Sequence, residues 1–406
     1  MARILVIRQG YFPLDPRLSR EVNALIAAGH TVDVICQRGS DEPARERHDR
    51  LAVHRLPIRR RRRGVANYLL EYGAFLVAAA VVAAAKHVRR RYDVVQTNSL
   101  PDCLVFAGIV PRLLGARVLL DLHECMPEFF EMKYRLAARH PCVRGLMLLE
   151  QLSIRFADFA VTCTRQMRER FIERGAPAQK IDVILNSFDD ERFDPRRYPD
   201  ARRQDRFTLS YHGTLEDMYS LDMVLRVVAS LRARIPGLRM RIYGDGPRRA
   251  SLIALAQQLG LQDIVRFSDG FRPLEEVLSG VAGADVGVVA IRRDACFDLT
   301  HSNKMYDYVA MRRPVVLSRT RAVESYFGDD CFQLFESGSE KDLARAILEL
   351  YREPALRERL VRRASQVAEP YRWVHQGKRY VEIVERLAGA RDARMSVLLN
   401  ERIDHA

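Results

Sequence analysis

The run Thr300-His-Ser-Asn-Lys-Met-Tyr-Asp307, which continues through a short helical stretch to the apolar Pro314-Val-Val-Leu317, decides how the chain folds. Its polar residues suit a turn, residues 304–311 have helical spacing, and residues 314–318 read as a strand. Short, nearly continuous apolar strands separated by helices imply a parallel sheet covered on both faces. The same alternation extends outward in both directions. Upstream, residues 207–211, 238–243, 264–267 and 285–291 read as strands, with helices over 221–234 and 248–259. Residues 186–206, rich in Asp, Pro and Arg without an apolar period, read as a linker. Before it, strands are predicted at 3–7, 31–36, 93–97, 118–122 and 158–163, with helices over 17–28, stopped by Gly29, and over 101–114. The expected architecture is α/β: two doubly wound, Rossmann-like domains around an interdomain cleft, with ligands beyond the carboxyl ends of the strands.

Length and composition agree. At roughly 100–200 residues per domain, a chain of 406 residues predicts two domains or three. A hydrophobic content of 48% argues against disorder. The seven cysteines are odd in number and form no CxxC pair, so a disulfide framework or zinc ribbon is not expected and a reducing, cytoplasmic setting is. The apolar run at the amino terminus is too short for a signal segment, reaching charge at Arg8.

The formal charge is +14, and residues 55–91 alone contribute +9, from ten bases (Arg55, Arg59, Arg60, Arg61, Arg62, Arg63, Lys86, Arg89, Arg90, Arg91) against Glu71. Between the basic clusters lies an uncharged apolar stretch, residues 72–85, shorter than the roughly 20 residues of a spanning helix. Two compatible readings follow: a core helix with basic ends, or a helix whose arginines meet anionic lipid at the inner face of the cell membrane. Nucleic acid is not expected, because the basic clusters lack interleaved aromatics.

The polar residues gather at predicted strand ends. The strand at 118–122 runs into Asp121-Leu-His-Glu-Cys-Met-Pro127, where Pro127 replaces the second His of the zinc motif HExxH. His123 could bond a substrate hydroxyl or a developing charge, or could tie down its loop. Leu209-Ser-Tyr-His-Gly-Thr-Leu215 ends in a turn whose Gly213 and Thr214 expose backbone amides, and Tyr243-Gly-Asp-Gly-Pro247, with Asp245, is a second such turn. It is not the GxGxxG fingerprint, so a nicotinamide cofactor loses support. Ser302, Asn303 and Lys304 at a helix start suit a diphosphate, and Asp307 one turn on could accept from two ribose hydroxyls.

Taken together, these residues resemble glycosyltransferase family 4, retaining enzymes of the GT-B fold that use sugar nucleotides, and nearly the whole chain takes part. Ala27-Ala-Gly-His-Thr-Val-Asp-Val34 is similar to the family's opening, Val183-Ile-Leu-Asn-Ser-Phe-Asp189 to its pre-linker segment and Tyr243-Gly-Asp-Gly-Pro247 to its second-domain turn. Ser302-Asn-Lys-Met-Tyr-Asp-Tyr-Val-Ala-Met-Arg-Arg-Pro-Val-Val316 resembles the version found in bacterial surface-polysaccharide transferases. The resemblance implies an acceptor domain over 1–190, onto which a closing helix at about 370–390 packs with Trp373 as an anchor, and a donor domain over 205–369. It implies that Asp307 holds the donor ribose, Ser302 to Lys304 contact phosphate, His123 faces the donor sugar, Gly10 approaches the diphosphate and Arg272 lies near the base.

Several positions depart from the family pattern. An acid seven residues before Asp307 would fall at Leu299, beside Asp298; Thr214 stands where Arg is expected, and Met218, Tyr219 and Ser220 where Lys is. The diphosphate charge then falls to Lys304 and an arginine such as Arg17. The implied reaction moves sugar from a UDP- or GDP-sugar to a lipid-linked or glycan acceptor with retention, without a cofactor or metal. Two rivals are a GT-B sugar-nucleotide epimerase and a noncatalytic membrane scaffold that kept the fold.

Overall fold

The computed structural model describes residues 1–58, 65–188 and 192–403. Arg59–Arg63 of the basic cluster and Asp189 and Asp190 of the linker lie outside the described residues. The chain divides into two units: Met1–Leu185 with His375–Ala406, and Asn186–Val374. Residues 186–206, read as a linker, fall with the second unit.

In the first unit the strands are β1 Arg3–Arg8, β2 Thr31–Gln37, β3 Arg45–Arg47, β4 Leu51–Leu56, β5 Val94–Asn98, β6 Arg117–Leu122, β7 Phe159–Thr162 and β8 Ile181–Val183. They form one sheet in the order β3-β4-β2-β1-β5-β6-β7-β8, parallel except for the β3/β4 pair. Chain order reverses between β1 and β5, whose pairing sets Arg8 beside Asn98. That reversal opens a crevice at the strand ends, where ligands of doubly wound sheets bind. Asp15 starts the helix Pro16–Ala27 by accepting from the amides of Arg17 and Leu18, Pro16 supplies the first turn, and Gly29 stops it at φ +87°. The segment expected as one helix over 101–114 is instead a 3-10 turn, Asp102–Gly108, followed by the short helix Ile109–Leu113. Gly108 explains the tight seat: a methyl there would touch Val118 and Val95 at 3.4–3.5 Å.

The helix Val65–Arg90 is long and apolar enough to cross a membrane by length and composition, yet it packs on this sheet. Phe75, Ala79 and Ala83 repeat every four residues and join Leu5, Ile7, Ile35 and Val95 in the core. The closing helix Trp373–Ile403 belongs to this unit from His375 onward. Its anchor is Tyr380, fully buried beside Ile383 and Val384, whereas Trp373 is only half-buried and falls in the second unit.

The second unit carries β9 Phe207–His212, β10 Leu238–Tyr243, β11 Val265–Phe267, β12 Val286–Val289, β13 Val315–Ser318 and β14 Gln333–Phe335 in a parallel sheet ordered β11-β10-β9-β12-β13-β14. The reversal here lies between β9 and β12. Leu209, Tyr211, Met240, Ile242, Val288 and Val316 of the strands pack against Val224, Val228, Leu231, Leu343 and Ile347 of the helices, all at most 1% exposed. At about 1.5–3 kcal/mol per buried aliphatic side chain, this cluster is the main source of stability in the unit.

Candidate active site

In the second unit, two turns meet at the strand ends. The Gly213 amide donates to the Tyr243 carbonyl at 2.8 Å and the Leu215 amide to the Asp245 carbonyl at 2.9 Å, which stitches the turn after β9 to the turn after β10. Gly244 has to be glycine: at φ +148° its added Cβ would lie 1.9 Å from the Gly213 carbonyl oxygen. Asp245 accepts from the Gly246 amide at 2.8 Å, so its carboxylate holds the turn, and Thr214 accepts at its carbonyl from the Tyr211 hydroxyl at 2.7 Å.

The helix Asn303–Ala310 delivers the remaining groups. It sits close to the sheet because Gly287 of β12 leaves room for the Tyr308 ring, whose hydroxyl donates to the Ser210 carbonyl at 2.8 Å. That contact sets Asp307, which accepts from or shares a proton with His212 Nε2 at 2.9 Å. His212 is buried, and its Nδ1 has no partner among the described residues. At the amino end, Ser302 is buried and its Oγ has no partner among the described residues, while Asn303 is exposed. His301 below it is fixed: Nε2 donates to the Ala322 carbonyl at 3.0 Å and Nδ1 accepts from the Tyr306 hydroxyl at 2.9 Å. Burial holds this imidazole neutral by lowering its pKa to about 4.

Lys304 reaches back over Gly213. It is 8% exposed, its ammonium lies 3.6 Å from the centre of the Tyr219 ring, and a methyl on Gly213 would collide with its Cε. No carboxylate pairs with it among the described residues. A buried cation satisfied only by an aromatic face, next to a helix amino terminus and an unpartnered hydroxyl, is suited to a phosphate.

In the first unit, the switch-point residues form a buried charged cluster. Arg17 clamps Asp121 with Nε to Oδ2 at 2.9 Å and Nη2 to Oδ1 at 2.8 Å, lies 3.0 Å from Glu21 and donates to the Ile184 carbonyl. Arg17 is therefore not available to a diphosphate, contrary to the expectation. His123 Nε2 sits 2.7 Å from Asp121 Oδ2, and the His123 amide donates to Ser99 Oγ. Burial lowers the His123 pKa, with Asp121 opposing that shift, whereas the charge of Arg17 and the hydrogen bond from His123 hold Asp121 ionised against its own desolvation. Gly10 lies beneath the Arg8 side chain, which pairs with Asp15 at 3.0 Å and reaches toward the Asn98 carbonyl.

Arg272 lies on the loop that adjoins the turn after β10, where the Gly244 amide donates to Ser268 Oγ at 3.0 Å. It pairs with Glu276 at 2.8 Å and lines a groove of about 540 Å³ with Tyr243, Arg241, Arg266 and Ser268. His212 and Tyr219 in the second unit, and Arg8 and Asp121 in the first, adjoin the predicted residues of their own unit, and the sequence reading did not single them out. His212 and Asp121 did carry a signal, since each is a polar residue at or near the carboxyl end of a buried strand.

Comparison with known proteins bears on the family and the fold. Residues 15–187 match a glycosyl transferase 4-like domain and residues 206–353 the glycosyl transferases group 1 domain. A GDP-mannose-dependent alpha-(1-6)-phosphatidylinositol monomannoside mannosyltransferase from Mycolicibacterium smegmatis is 27% identical over 257 residues, 59% of this chain and 64% of that protein. The chain thus spans just under two thirds of that relative's length. Sucrose-phosphate synthase from Thermosynechococcus elongatus superposes with a TM-score of 0.74 at 18% identity, covering 96% of this chain and 100% of that one. HepE from Anabaena, solved with UDP and glucose, gives 0.71 at 15%, covering 95% and 100%. Two parallel α/β units of this kind define the GT-B fold. The chain belongs to glycosyltransferase family 4.

Proposed function

We propose that this protein is a retaining glycosyltransferase that takes sugar from a nucleoside-diphosphate sugar and passes it to a membrane-held, lipid-linked glycan acceptor. The observation that carries the reading is the cation of Lys304 over Gly213, beside the free Ser302 hydroxyl and Asp307. The helix amino terminus and Lys304 neutralise the diphosphate without a metal, and Asp307 takes the ribose hydroxyls. As the bond from the anomeric carbon to the diphosphate oxygen breaks, the acceptor oxygen attacks from the same face, and the departing diphosphate takes its proton. The protein contributes orientation and stabilisation of the departing charge. GDP-mannose is the donor used by the mannosyltransferase relative, and the HepE crystals hold UDP, which supports testing both nucleotides.

The acceptor side of the reading rests on the first unit's surface. Val77, Val81 and Val88 are each 64% exposed along the outer face of the helix Val65–Arg90, which ends in Arg89 and Arg90, followed by Arg91. The short helix Ile109–Leu113 packs nearby and exposes Ile109 and Leu113. An apolar stripe with basic residues at its end matches an anionic bilayer surface, with each base near the headgroups adding about 1 kcal/mol. The protein then works at the cytoplasmic face of the membrane.

The test is turnover of GDP-mannose and UDP-glucose with a bacterial lipid extract as acceptor, following the anomeric configuration of the product by NMR. The proposal predicts a glycolipid that keeps the donor's configuration. An inverted product or a free epimer of the donor would contradict it.

A further inference from the structure

Asp121 Oδ2 is the meeting point of three donors: Arg17 Nε at 2.9 Å, Asn98 Nδ2 at 2.8 Å and His123 Nε2 at 2.7 Å. Its other oxygen takes Arg17 Nη2 at 2.8 Å. A carboxylate gripped bidentately by a buried guanidinium has no proton to give, so the bond to His123 needs a hydrogen on Nε2; Asn98 Nδ2, 3.3 Å from that nitrogen, spends its two hydrogens on Glu21 and Asp121 and is a contact there, not a donor. In a neutral imidazole, the lone pair is then left on Nδ1, which has no protein partner among the described residues. The neighbouring acid behaves differently: Glu21 is fully buried, accepts from Gln96 at 2.8 Å and Asn98 at 3.1 Å, and is driven toward its neutral form by burial and by the charge of Asp121. The cluster therefore concentrates its negative charge on Asp121. The closing helix completes it, since the buried Tyr380 hydroxyl donates to Gln96.

We infer that Asp121 is a positioning residue that fixes His123 as the Nε2–H tautomer, so that His123 offers Nδ1 as a hydrogen-bond acceptor to a sugar hydroxyl and not a proton to the departing diphosphate. This rests on the proposed function, in which His123 meets the donor sugar. It narrows the two roles open to His123, bonding a hydroxyl or a developing charge, to the first. The charged groups facing the imidazole are Asp121, Arg17, Arg8 and Asp15. Arg8 and Arg17 favour the neutral ring and Asp121 favours the protonated one.

The experiment has three arms on the full chain. With ¹⁵N-histidine labelling, the His123 signals, assigned by their loss in His123→Gln, are expected to show Nε2 protonated and Nδ1 bare at neutral pH; an Nδ1–H tautomer overturns the inference. For Asp121→Asn, with hydrolysis of GDP-mannose and UDP-glucose as the readout, kcat is expected to fall about tenfold, the loss of one hydrogen bond, with KM unchanged. Removing the charge that favours protonation also moves the acid limb of the pH profile to lower pH, which a merely structural defect would not do. An unaltered rate and profile overturns the inference. If Asp121→Asn fails to fold, the tautomer measured in the unsubstituted protein still decides it. His123→Gln tests the underlying reading: full turnover by that variant removes the sugar contact and the inference with it, whereas an inactive His123→Gln beside an unaffected Asp121→Asn removes the inference alone.

Discussion

In the proposed function, Lys304 stands in for a residue that the family pattern places elsewhere in the chain. The family pattern expects a base in the loop after Gly213, where Met218, Tyr219 and Ser220 stand. The structure brings a cation to Gly213 from the helix Asn303–Ala310, with Tyr219 supplying its aromatic seat. Gly213→Ala should weaken nucleotide binding while leaving the fold intact, because the added methyl displaces Lys304 and strains a backbone at φ +118°. Fluorescence titration with a labelled GDP or UDP checks this, and unchanged affinity would count against the cradle. Lys304 and Asp307 were legible as residues because polar groups at a helix start carry a phosphate signal. Tyr219, His212 and Arg8 were not, because their roles come from contacts across the sheet that no local spacing encodes. Arg17 misled for the same reason: a helix-start arginine reads as solvent-facing until its buried partner, Asp121, is known.

The element that holds the site together is the helix Asn303–Ala310, and two of its supports give predictions. Gly287→Ala would set a methyl 2.6 Å from the Tyr308 ring. Overpacking of this kind costs about 1–3 kcal/mol, so thermal denaturation should show a Tm lower by several degrees together with weaker nucleotide binding. A Tm equal to that of the unsubstituted protein would mean that the helix can move away freely. The second support is His301, buried and neutral with a pKa near 4 against 6.5 in the unfolded chain. Because the folded value is depressed, its contribution is fully present above about pH 6.5 and is lost as the pH falls from there through 4, by on the order of 3 kcal/mol. Denaturant titrations between pH 7 and 4 should show that loss, and a variant without the imidazole, His301→Gln, should show a shallower slope. Strand positions were largely readable, since buried parallel strands are short apolar runs. The 3-10 turn Asp102–Gly108 was not, because its tightness depends on how Gly108 meets β5 and β6.

At the scale of the whole molecule, the basic excess resolves into a local feature. The helix Val65–Arg90 satisfies both sequence readings at once: one row of side chains is core, and the other is an exposed apolar stripe with arginines at its end. Replacing Val77 and Val81 together by Asn should reduce sedimentation with phosphatidylglycerol vesicles about tenfold or more, at roughly 1.5 kcal/mol for each apolar side chain withdrawn from lipid, with GDP-mannose and UDP-glucose hydrolysis in detergent unchanged. Binding that survives both these substitutions and high salt would remove the lipid surface from the account. The central claim, however, is the diphosphate cradle of the second unit, and calorimetric titration of the full chain with GDP and with UDP, beside Lys304→Ala and Asp307→Ala, tests it most directly. The account predicts that one nucleotide binds and that each substitution weakens it about tenfold or more, as expected for losing a charge-assisted hydrogen bond. Binding of neither nucleotide, or affinities that both substitutions leave unchanged, would contradict it and favour a noncatalytic scaffold that kept the fold.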